Sequence, residues 1–204
     1  MGKILTCLSK SINCHHTDTA IMLELNFTPF PLLSTNRLNL RRITNEDAEE
    51  IFFQRSDKRM LRYLDRDPIR STDEAIQWIK MIDNGINNDE YIAWGITLKH
   101  EPRLIGTITF WNIKKEHYRA EIGYALHPDQ QGQGIMNEAM STVLDFGFRN
   151  MRLHSVEANV NPANTASIRL LERNNFVREA YHRENYYYGG KFLDSAIYSL
   201  LSPL

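Results

Sequence analysis

The sequence predicts a single α+β domain in which helices flank a mixed, mostly antiparallel central sheet. Capped amphipathic helices alternate along the chain with short apolar runs whose pattern is typical of strands. The links between the strand-like runs are mostly short turns, which favour an antiparallel meander. No internal repeat is visible, so one packed domain accounts for the whole pattern.

Length and composition limit the classes of function. The chain has 204 residues, a formal net charge of −1 and no low-complexity run, which suits one domain with a sizeable core. A near-neutral charge argues against direct nucleic-acid binding, which needs a basic face. The apolar runs are too short to span a membrane, and both cysteines lie near the N-terminus. We therefore expect a cytoplasmic protein with no membrane partner.

Residues 1–21 differ from the rest of the chain because they show no apolar periodicity. We expect a disordered leader there, followed by one domain over residues 22–204 with a natural start near Met22. Cys7, Cys14 and the adjacent histidines could be read as metal ligands, but their spacing is not that of a zinc site. The sequence leaves open whether the leader belongs to the natural protein.

The first half of the domain contains one predicted strand and two predicted helices. Leucines alternate with polar residues over 37–41, as in a half-buried strand. A variant capping box predicts a helix over 44–53, and Ser71–Glu74 forms a standard capping box before a second helix. We expect Asn84-Gly85 to end that second helix.

The second half of the domain is richer in strands. One helix is predicted after Gly134 and another at Asn164, while Glu101-Pro102 and Gly189-Gly190 are predicted turns. The predicted strands cover residues 91–98, 104–111, 121–126, 155–160, 181–188 and 192–199.

The stretch His127–Met136 organises the chain, because it takes a strand through a proline and a polar glycine-rich turn into a helix. Such a turn exposes backbone N–H groups that have no intrahelical partner, and the helix dipole favours an anion there, usually phosphate. Gly132 and Gly134 would let the anion approach the backbone. The turn is neither a Walker loop nor a dinucleotide fingerprint, since their further fixed residues are missing.

The turn resembles the pyrophosphate loop of the GNAT acetyltransferase superfamily, Gln/Arg-x-x-Gly-x-Gly/Ala, with Gln131 and Gly134 at two fixed positions. Met136 departs from that pattern, because the family usually has Gly or Ala there. Glu138-Ala139 is similar to the branch that contains the ribosomal-protein N-terminal acetyltransferases. Asn161–Phe176 resembles the family's second coenzyme A segment, so the resemblance covers most of residues 103–200. It implies the GNAT fold, with acetyl-CoA as cosubstrate.

The resemblance also implies which residues bind the coenzyme. Leu126 would lie where the strand splays, so that its backbone could pair with the pantetheine arm and its N–H could stabilise the oxyanion. Asn164 would contact the same arm, or would only cap its helix. Asn175 replaces the usual family Gly, and Asn tolerates the left-handed conformation that ends a helix. The residues expected to hold the pyrophosphate, mainly through backbone N–H groups, are Gln131, Gly132, Gln133, Gly134, Ile135 and Met136.

Ser167 is the candidate acid that protonates the departing thiolate. Many family members use a tyrosine for this step, but that position is Leu171 here. The ribosomal-protein branch instead has a serine three residues after the coenzyme-binding Asn, and Ser167 matches it. The alternative reading is a solvent-facing helix serine.

Three glutamates are candidates for the general base. Glu121 and Glu157 lie on predicted central strands, where an unpaired buried carboxylate is costly and therefore informative, although either could be salt-bridged. The ribosomal-protein branch has its glutamate at the position of Tyr186. Glu184, two residues away on the same predicted strand face, could substitute for it.

These residues together predict an acetyl-CoA-dependent N-acetyltransferase that acts on a primary amine, with no metal. A protein N-terminus is the leading acceptor, because its α-amine has a pKa of about 7.7–8.0 and is partly neutral near pH 7. The alternatives are a small-molecule amine such as a polyamine or amino-sugar, or a non-catalytic acyl-CoA-binding module. The expected oligomeric state is a monomer or a homodimer.

Overall fold

The computed structural model describes residues 22–203, so the predicted leader lies outside the described residues. Within that range one eight-stranded sheet forms the centre of the domain. The strands are β1 (Leu33–Ser34), β2 (Leu38–Arg41), β3 (Ile92–Leu98), β4 (Glu101–Lys114), β5 (Arg119–Leu126), β6 (Ser155–Val160), β7 (Val177–Tyr188) and β8 (Lys191–Leu201). The α-helices are α1 (Ala48–Ser56), α2 (Lys58–Leu61), α3 (Thr72–Asn87), α4 (Ile135–Arg149) and α5 (Thr165–Arg173).

The sheet confirms the predicted mixed, mostly antiparallel topology. Its strand order is β1-β2-β3-β4-β5-β6-β8-β7, and β5 and β6 form its parallel pair. That pairing joins residues 119–121 to residues 155–157 and stops there. Beyond it the two strands separate, and we call the opening between residues 122–126 of β5 and 158–160 of β6 the cleft.

Helices cover both faces of the sheet. On one face, a Cβ added at Gly147 of α4 would come within 2.8 Å of the Phe110 ring of β4, so helix and strand are in close contact. On the other face, the Thr107 hydroxyl of β4 donates to Gln54 of α1 over 3.4 Å. Side chains alternate between the two faces along a strand, and Phe110 and Thr107 are three residues apart on β4. Their side chains therefore project from opposite faces, so α4 and α1 lie on opposite faces of the sheet. None of the helices within residues 22–203 is long and apolar enough to cross a membrane.

Two predicted boundaries are wrong. Glu101-Pro102 belongs to β4, and the turn precedes it. α3 continues through Gly85 to Asn87, because this glycine makes room for an aromatic ring and does not cap the helix. An added Cβ at Gly85 would come within 2.1 Å of the Tyr91 ring, whose hydroxyl donates to the Met81 carbonyl of α3 over 2.8 Å.

Candidate active site

The glycine-rich turn has the backbone conformation that its sequence predicts. Gly132 and Gly134 have φ values of +76° and +74°, which L-residues rarely adopt, and Gly134 is the N-cap of α4. A Cβ added at Gly132 would meet nothing within 4 Å, so this part of the turn faces open space. Ile135 and Met136 have only 2% and 7% of their surface exposed, so they can reach a ligand there only through their backbone N–H groups. The turn therefore has the main-chain geometry that an anion site requires, and we call it the cradle.

Arg37, which directly precedes β2, contacts this turn through its side chain. Its Nε donates to Glu138 over 2.6 Å and its NH1 donates to the Gln133 carbonyl over 3.0 Å. Burial acts to raise the pKa of Glu138, but hydrogen bonds from Thr35 and Arg37 outweigh it and hold that pKa below its usual value. The Arg37 guanidinium lies 3.6 Å from a Cβ added at Gly134, so a cation flanks the cradle. Sequence reasoning missed Arg37, because no local signal links it to a turn about a hundred residues away.

The backbone of Leu126 faces the cleft. The His127 N–H donates to the Ile105 carbonyl over 2.8 Å, which makes that pair hydrogen-bonded in the β4–β5 ladder. Antiparallel pairs alternate, so the N–H and C=O groups of Leu126 and Tyr124 point away from β4 and towards the cleft. The Gln131 side chain donates to the Leu126 carbonyl over 3.1 Å. The Leu126 carbonyl thus already has a hydrogen-bond partner, and the Leu126 N–H points towards the cleft.

A hydroxyl pair bridges β5 and α5. The Oη of Tyr124 and the Oγ of Ser167 lie 2.6 Å apart, and either can donate to the other. Burial raises the pKa of Tyr124 to about 12, although the hydrogen bond with Ser167 acts in the opposite direction. Asn164 accepts a hydrogen bond from the Ser167 N–H over 3.1 Å, so it caps α5 and fixes the serine. Tyr124 is a site residue that sequence reasoning missed, because nothing in the sequence pairs it with Ser167, 43 residues away.

Two of the candidate bases lie on the opposite face of the sheet. Glu121 and Glu157 form the last residue pair of the β5–β6 ladder, at the apex of the cleft. Burial raises the pKa of Glu121, although a hydrogen bond with Asn112 opposes the shift. Glu157 forms an ion pair with Arg119. Because side chains alternate along a strand, Glu121 and Tyr124, three residues apart on β5, project from opposite faces of the sheet.

Glu184 does not have the strand geometry that was expected. Its φ is +50°, and the register of β7 against β8 shifts between His182 and Tyr186. The regular alternation that would put Glu184 on the face of Tyr186 therefore does not hold. Its N–H donates to Asp194 over 2.8 Å, and its side chain is exposed.

The segment between α1 and α3 crosses over the cleft. We call residues 57–70 the arch. At one end, Phe53 of α1 stacks on His127, which directly follows β5, with ring centroids 4.6 Å apart. At the other end, the Tyr186 hydroxyl of β7 donates to Asp65 over 2.5 Å. The arch thus runs from the end of β5 to the hairpin formed by β7 and β8, which we call the closing hairpin, on the side of the sheet that carries Glu121.

Comparison with known proteins shows to which family this chain belongs. Residues 37–177 match the family described as the acetyltransferase (GNAT) domain. The uncharacterised N-acetyltransferase YoaA of Bacillus subtilis is 37% identical over 174 residues, which cover 85% of this chain and 98% of that protein. The [ribosomal protein uS5]-alanine N-acetyltransferase of Escherichia coli is 26% identical over 177 residues, covering 84% and 91% of the two chains.

Solved structures agree with this assignment. A GNAT-family acetyltransferase from Bacillus anthracis superposes with a TM-score of 0.75 at 25% identity, covering 85% of this chain and all of that one. RimL, a ribosomal L7/L12 α-N-protein acetyltransferase solved with coenzyme A, has the same fold. Its TM-score is 0.76 at 21% identity, with 84% and 98% of the chains covered. This chain therefore belongs to the GNAT family and is an acetyl-CoA-dependent N-acetyltransferase.

Proposed function

We propose that this enzyme acetylates the α-amine at the N-terminus of a protein. The observation that carries the proposal is the arrangement at the cleft, where a carboxylate lies on one face of β5 and a hydroxyl pair on the other. Attack by an amine releases a proton and leaves a thiolate that needs one, so both groups are required near the same thioester. The relatives named as ribosomal-protein N-acetyltransferases support a protein acceptor.

In this proposal the coenzyme is held mainly by main chain. The backbone N–H groups of residues 131–136 bind its pyrophosphate, with the Arg37 guanidinium beside them. The pantetheine arm follows β5 into the cleft, near Asn164. The Leu126 N–H donates to the thioester oxygen and stabilises the negative charge that develops on it during attack.

Ser167 supplies the proton for the leaving group. The amine nitrogen bonds to the thioester carbon and gives its proton to the base, the carbon–sulfur bond breaks, and the thiolate takes the Ser167 Oγ proton. Oγ regains a proton from solvent as the products leave. Tyr124 has one O–H, and by donating it to Oγ it leaves the serine proton free to point at the sulfur. Tyr124 is in this account a positioning residue.

Glu121 is the base that the geometry favours. It lies at the apex of the cleft, and its raised pKa gives the carboxylate more affinity for the amine proton. Glu157 is held by Arg119, and Glu184 is displaced by the irregularity in β7. A modest base acting through water is sufficient for an α-amine, since its pKa is about 7.7–8.0.

Acetyl-CoA turnover against a panel of amines tests this proposal. Peptides with a free N-terminus should be acetylated, and the same peptides with a blocked N-terminus but a free lysine should not. A lysine amine, with a pKa of about 10.4, is almost fully protonated near pH 7 and needs a stronger base. Turnover confined to a polyamine or an amino-sugar would replace the protein acceptor with a small-molecule one.

A further inference from the structure

Arg55, in the last turn of α1, carries the one buried side-chain nitrogen or oxygen within residues 22–203 that has no hydrogen-bond partner. The atom is its Nε. The guanidinium lies over the Trp78 ring of α3, 4.6 Å from the ring centroid, so its orientation is fixed by stacking. Stacking does not satisfy N–H groups that lie in the guanidinium plane. A buried donor without an acceptor is unfavourable and rare in native proteins, so it requires a specific explanation.

The arch packs directly on Arg55, because the Ile69 N–H of the arch donates to the Arg55 carbonyl over 3.1 Å. Arg66 also belongs to the arch, and its side chain keeps contact with solvent. The pKa of Arg55 is lowered to about 10 by burial and, second, by the positive charge of Arg66. Arg55, already short of an acceptor, is thus also subject to the charge of a second cation.

The acidic side chains nearest to Arg66 in the chain are engaged elsewhere. Asp65 accepts a hydrogen bond from Tyr186 over 2.5 Å, and Asp67 accepts one from Tyr188 over 3.2 Å. Within residues 22–203, neither Arg55 nor Arg66 forms an ion pair with a carboxylate. The last turn of α1 and the arch therefore each offer one guanidinium group without a carboxylate partner, while the aspartates of the arch bind the closing hairpin.

The position of this pair points to the acceptor. Arg55 directly follows Gln54, which contacts Thr107 of β4, and Thr107 pairs with Ala125 beside the cleft. The arch lies on the side of the sheet that carries Glu121, opposite the Tyr124–Ser167 pair. An acceptor whose amine reaches Glu121 therefore approaches on the side of the sheet where α1 and the arch lie.

We propose that Arg55 and Arg66 bind a carboxylate of the acceptor, so that the enzyme prefers protein N-termini with an acidic residue close to the reacting α-amine. The inference rests on the proposed function and specifies its substrate class. Carboxylate oxygens that accept from the two guanidinium groups would separate the two positive charges. Hydrogen bonds to charged groups are the strong ones, so the preference should be at least about 10-fold in kcat/KM.

Matched peptides test the preference. Peptides with Asp or Glu at the second to fourth positions are compared with the same peptides carrying Asn or Gln, over a range of salt. The wild type should favour the acidic member at least about 10-fold at low salt, and the ratio should shrink as salt rises. Arg66→Gln and Arg55→Met should bring the ratio close to one, Met being chosen because it can still pack on Trp78. Arg62→Gln is the control, because Arg62 is an exposed arch arginine stacked on its neighbour Tyr63, and it should keep the wild-type ratio.

Peptide binding to the enzyme–coenzyme A complex, measured by calorimetry, separates this inference from the proposed function. Turnover of peptides without acidic preference, or a ratio that Arg66→Gln leaves unchanged, overturns the arginine site alone. Acid-selective binding that Arg66→Gln abolishes, with no peptide turned over, overturns the proposed function and keeps the site. A phosphorylated small amine that outcompetes every acidic peptide overturns the carboxylate assignment in favour of phosphate.

Discussion

The two sides of the cleft, which bind the coenzyme and the acceptor in the proposed function, are built in different ways. On the coenzyme side, one continuous turn presents backbone N–H groups, and its conformation follows from two glycines and a helix start. On the acceptor side, the arch and the closing hairpin meet through side chains such as Asp65 and Tyr186, which are 121 residues apart. The first side is encoded locally, and the second exists only after the chain has folded.

This difference matches what each side must recognise. Every acetyltransferase reaction of this enzyme uses the same pyrophosphate, which backbone donors can bind whatever the neighbouring side chains are. The acceptor has to be distinguished from other amines, and that requires side chains such as Arg55 and Arg66. Changes on the coenzyme side should therefore abolish binding, whereas changes on the acceptor side should alter the choice of substrate.

The largest effect is expected at the cradle. Acetyl-CoA at roughly 100 times its Kd should stabilise the wild type by about 2.7 kcal/mol, which raises Tm by about 5–10 °C. Gly134→Val should lose most of this rise, because a β-branched side chain at φ +74° distorts the cradle and obstructs the anion. Coenzyme A without the acetyl group should behave in the same way. The measurement is thermal unfolding with and without ligand.

Gly190→Val is the matched control for the strain at Gly134. Gly190 has a φ of +81° in the closing hairpin, and an added Cβ meets nothing within 4 Å. Both variants should lower the free energy of unfolding of the ligand-free protein by about 2 kcal/mol, and its Tm should fall accordingly. Only Gly134→Val should lose the response to acetyl-CoA, and equal responses in the two variants would contradict the cradle.

The next effect concerns the hydroxyl pair. Ser167→Ala and Tyr124→Phe should each lower kcat by about 100-fold, with little change in KM for acetyl-CoA, because the proton is needed only in the transition state. Since Tyr124 acts through Ser167, the double variant should be hardly slower than either single one. Steady-state kinetics on all three variants measure this.

Tyr91→Phe controls for the loss of a tyrosine hydroxyl as such, since Tyr91 donates over 2.8 Å to Met81 of α3, outside the cleft. It should keep the wild-type kcat. Additive losses at Tyr124 and Ser167 would show that the two hydroxyls act separately.

The base should appear in the pH profile. Glu121 must be deprotonated to accept a proton, so kcat/KM should fall as the pH drops through its raised pKa. Glu121→Gln should remove the part of this fall that the carboxylate causes and lower the rate, which leaves the fall set by the α-amine with its pKa of about 7.7–8.0. Glu157→Gln and Glu184→Gln should keep both parts. If all three variants keep the wild-type profile, the amine arrives neutral from solvent.

A smaller effect on stability follows from the same carboxylate. Burial raises the pKa of Glu121, so the protonated side chain favours the folded state at acid pH. This contribution to the free energy of unfolding is lost as the pH rises through the raised pKa. Glu121→Gln should therefore raise the Tm of the ligand-free protein at neutral pH by about 1–3 °C while it slows turnover. A lower Tm would mean that the ionised form makes a stabilising contact.

The smallest effect is expected from the N-terminus. Removal of residues 1–21 should change neither Tm nor the kinetics on either side of the cleft, because the sequence there has no pattern for burial. Thermal unfolding and turnover of the truncated chain measure this, and a Tm lowered by several degrees would contradict it.

Sequence reasoning succeeded where the signal is local. The glycine turn, the capping residues and the strand alternation depend on neighbours within a few positions, and Asn175 has the left-handed φ of +64° that was expected of it. Gly85 shows the limit of the same rules, because a distant ring, not a helix end, requires that glycine.

The parts of the site that were not predicted all join distant residues. The Tyr124–Ser167 bond, the Arg37–Glu138 bridge and the unpaired Arg55 depend on which strands become neighbours and on which side chains are already engaged. The predicted strand face of Glu184 was wrong for a related reason, since a break in the strand register cannot be read from alternation alone, while its role as a base stays a prediction.

The short parallel seam between β5 and β6 has a mechanical consequence. Within the sheet, three residue pairs join β1–β5 to β6–β8, and this seam ends where the cleft begins. We expect a molecule inserted in the cleft to contact both parts of the sheet and to resist their rotation about the seam. The first substrate to bind should then fix the distance across which the second substrate reacts.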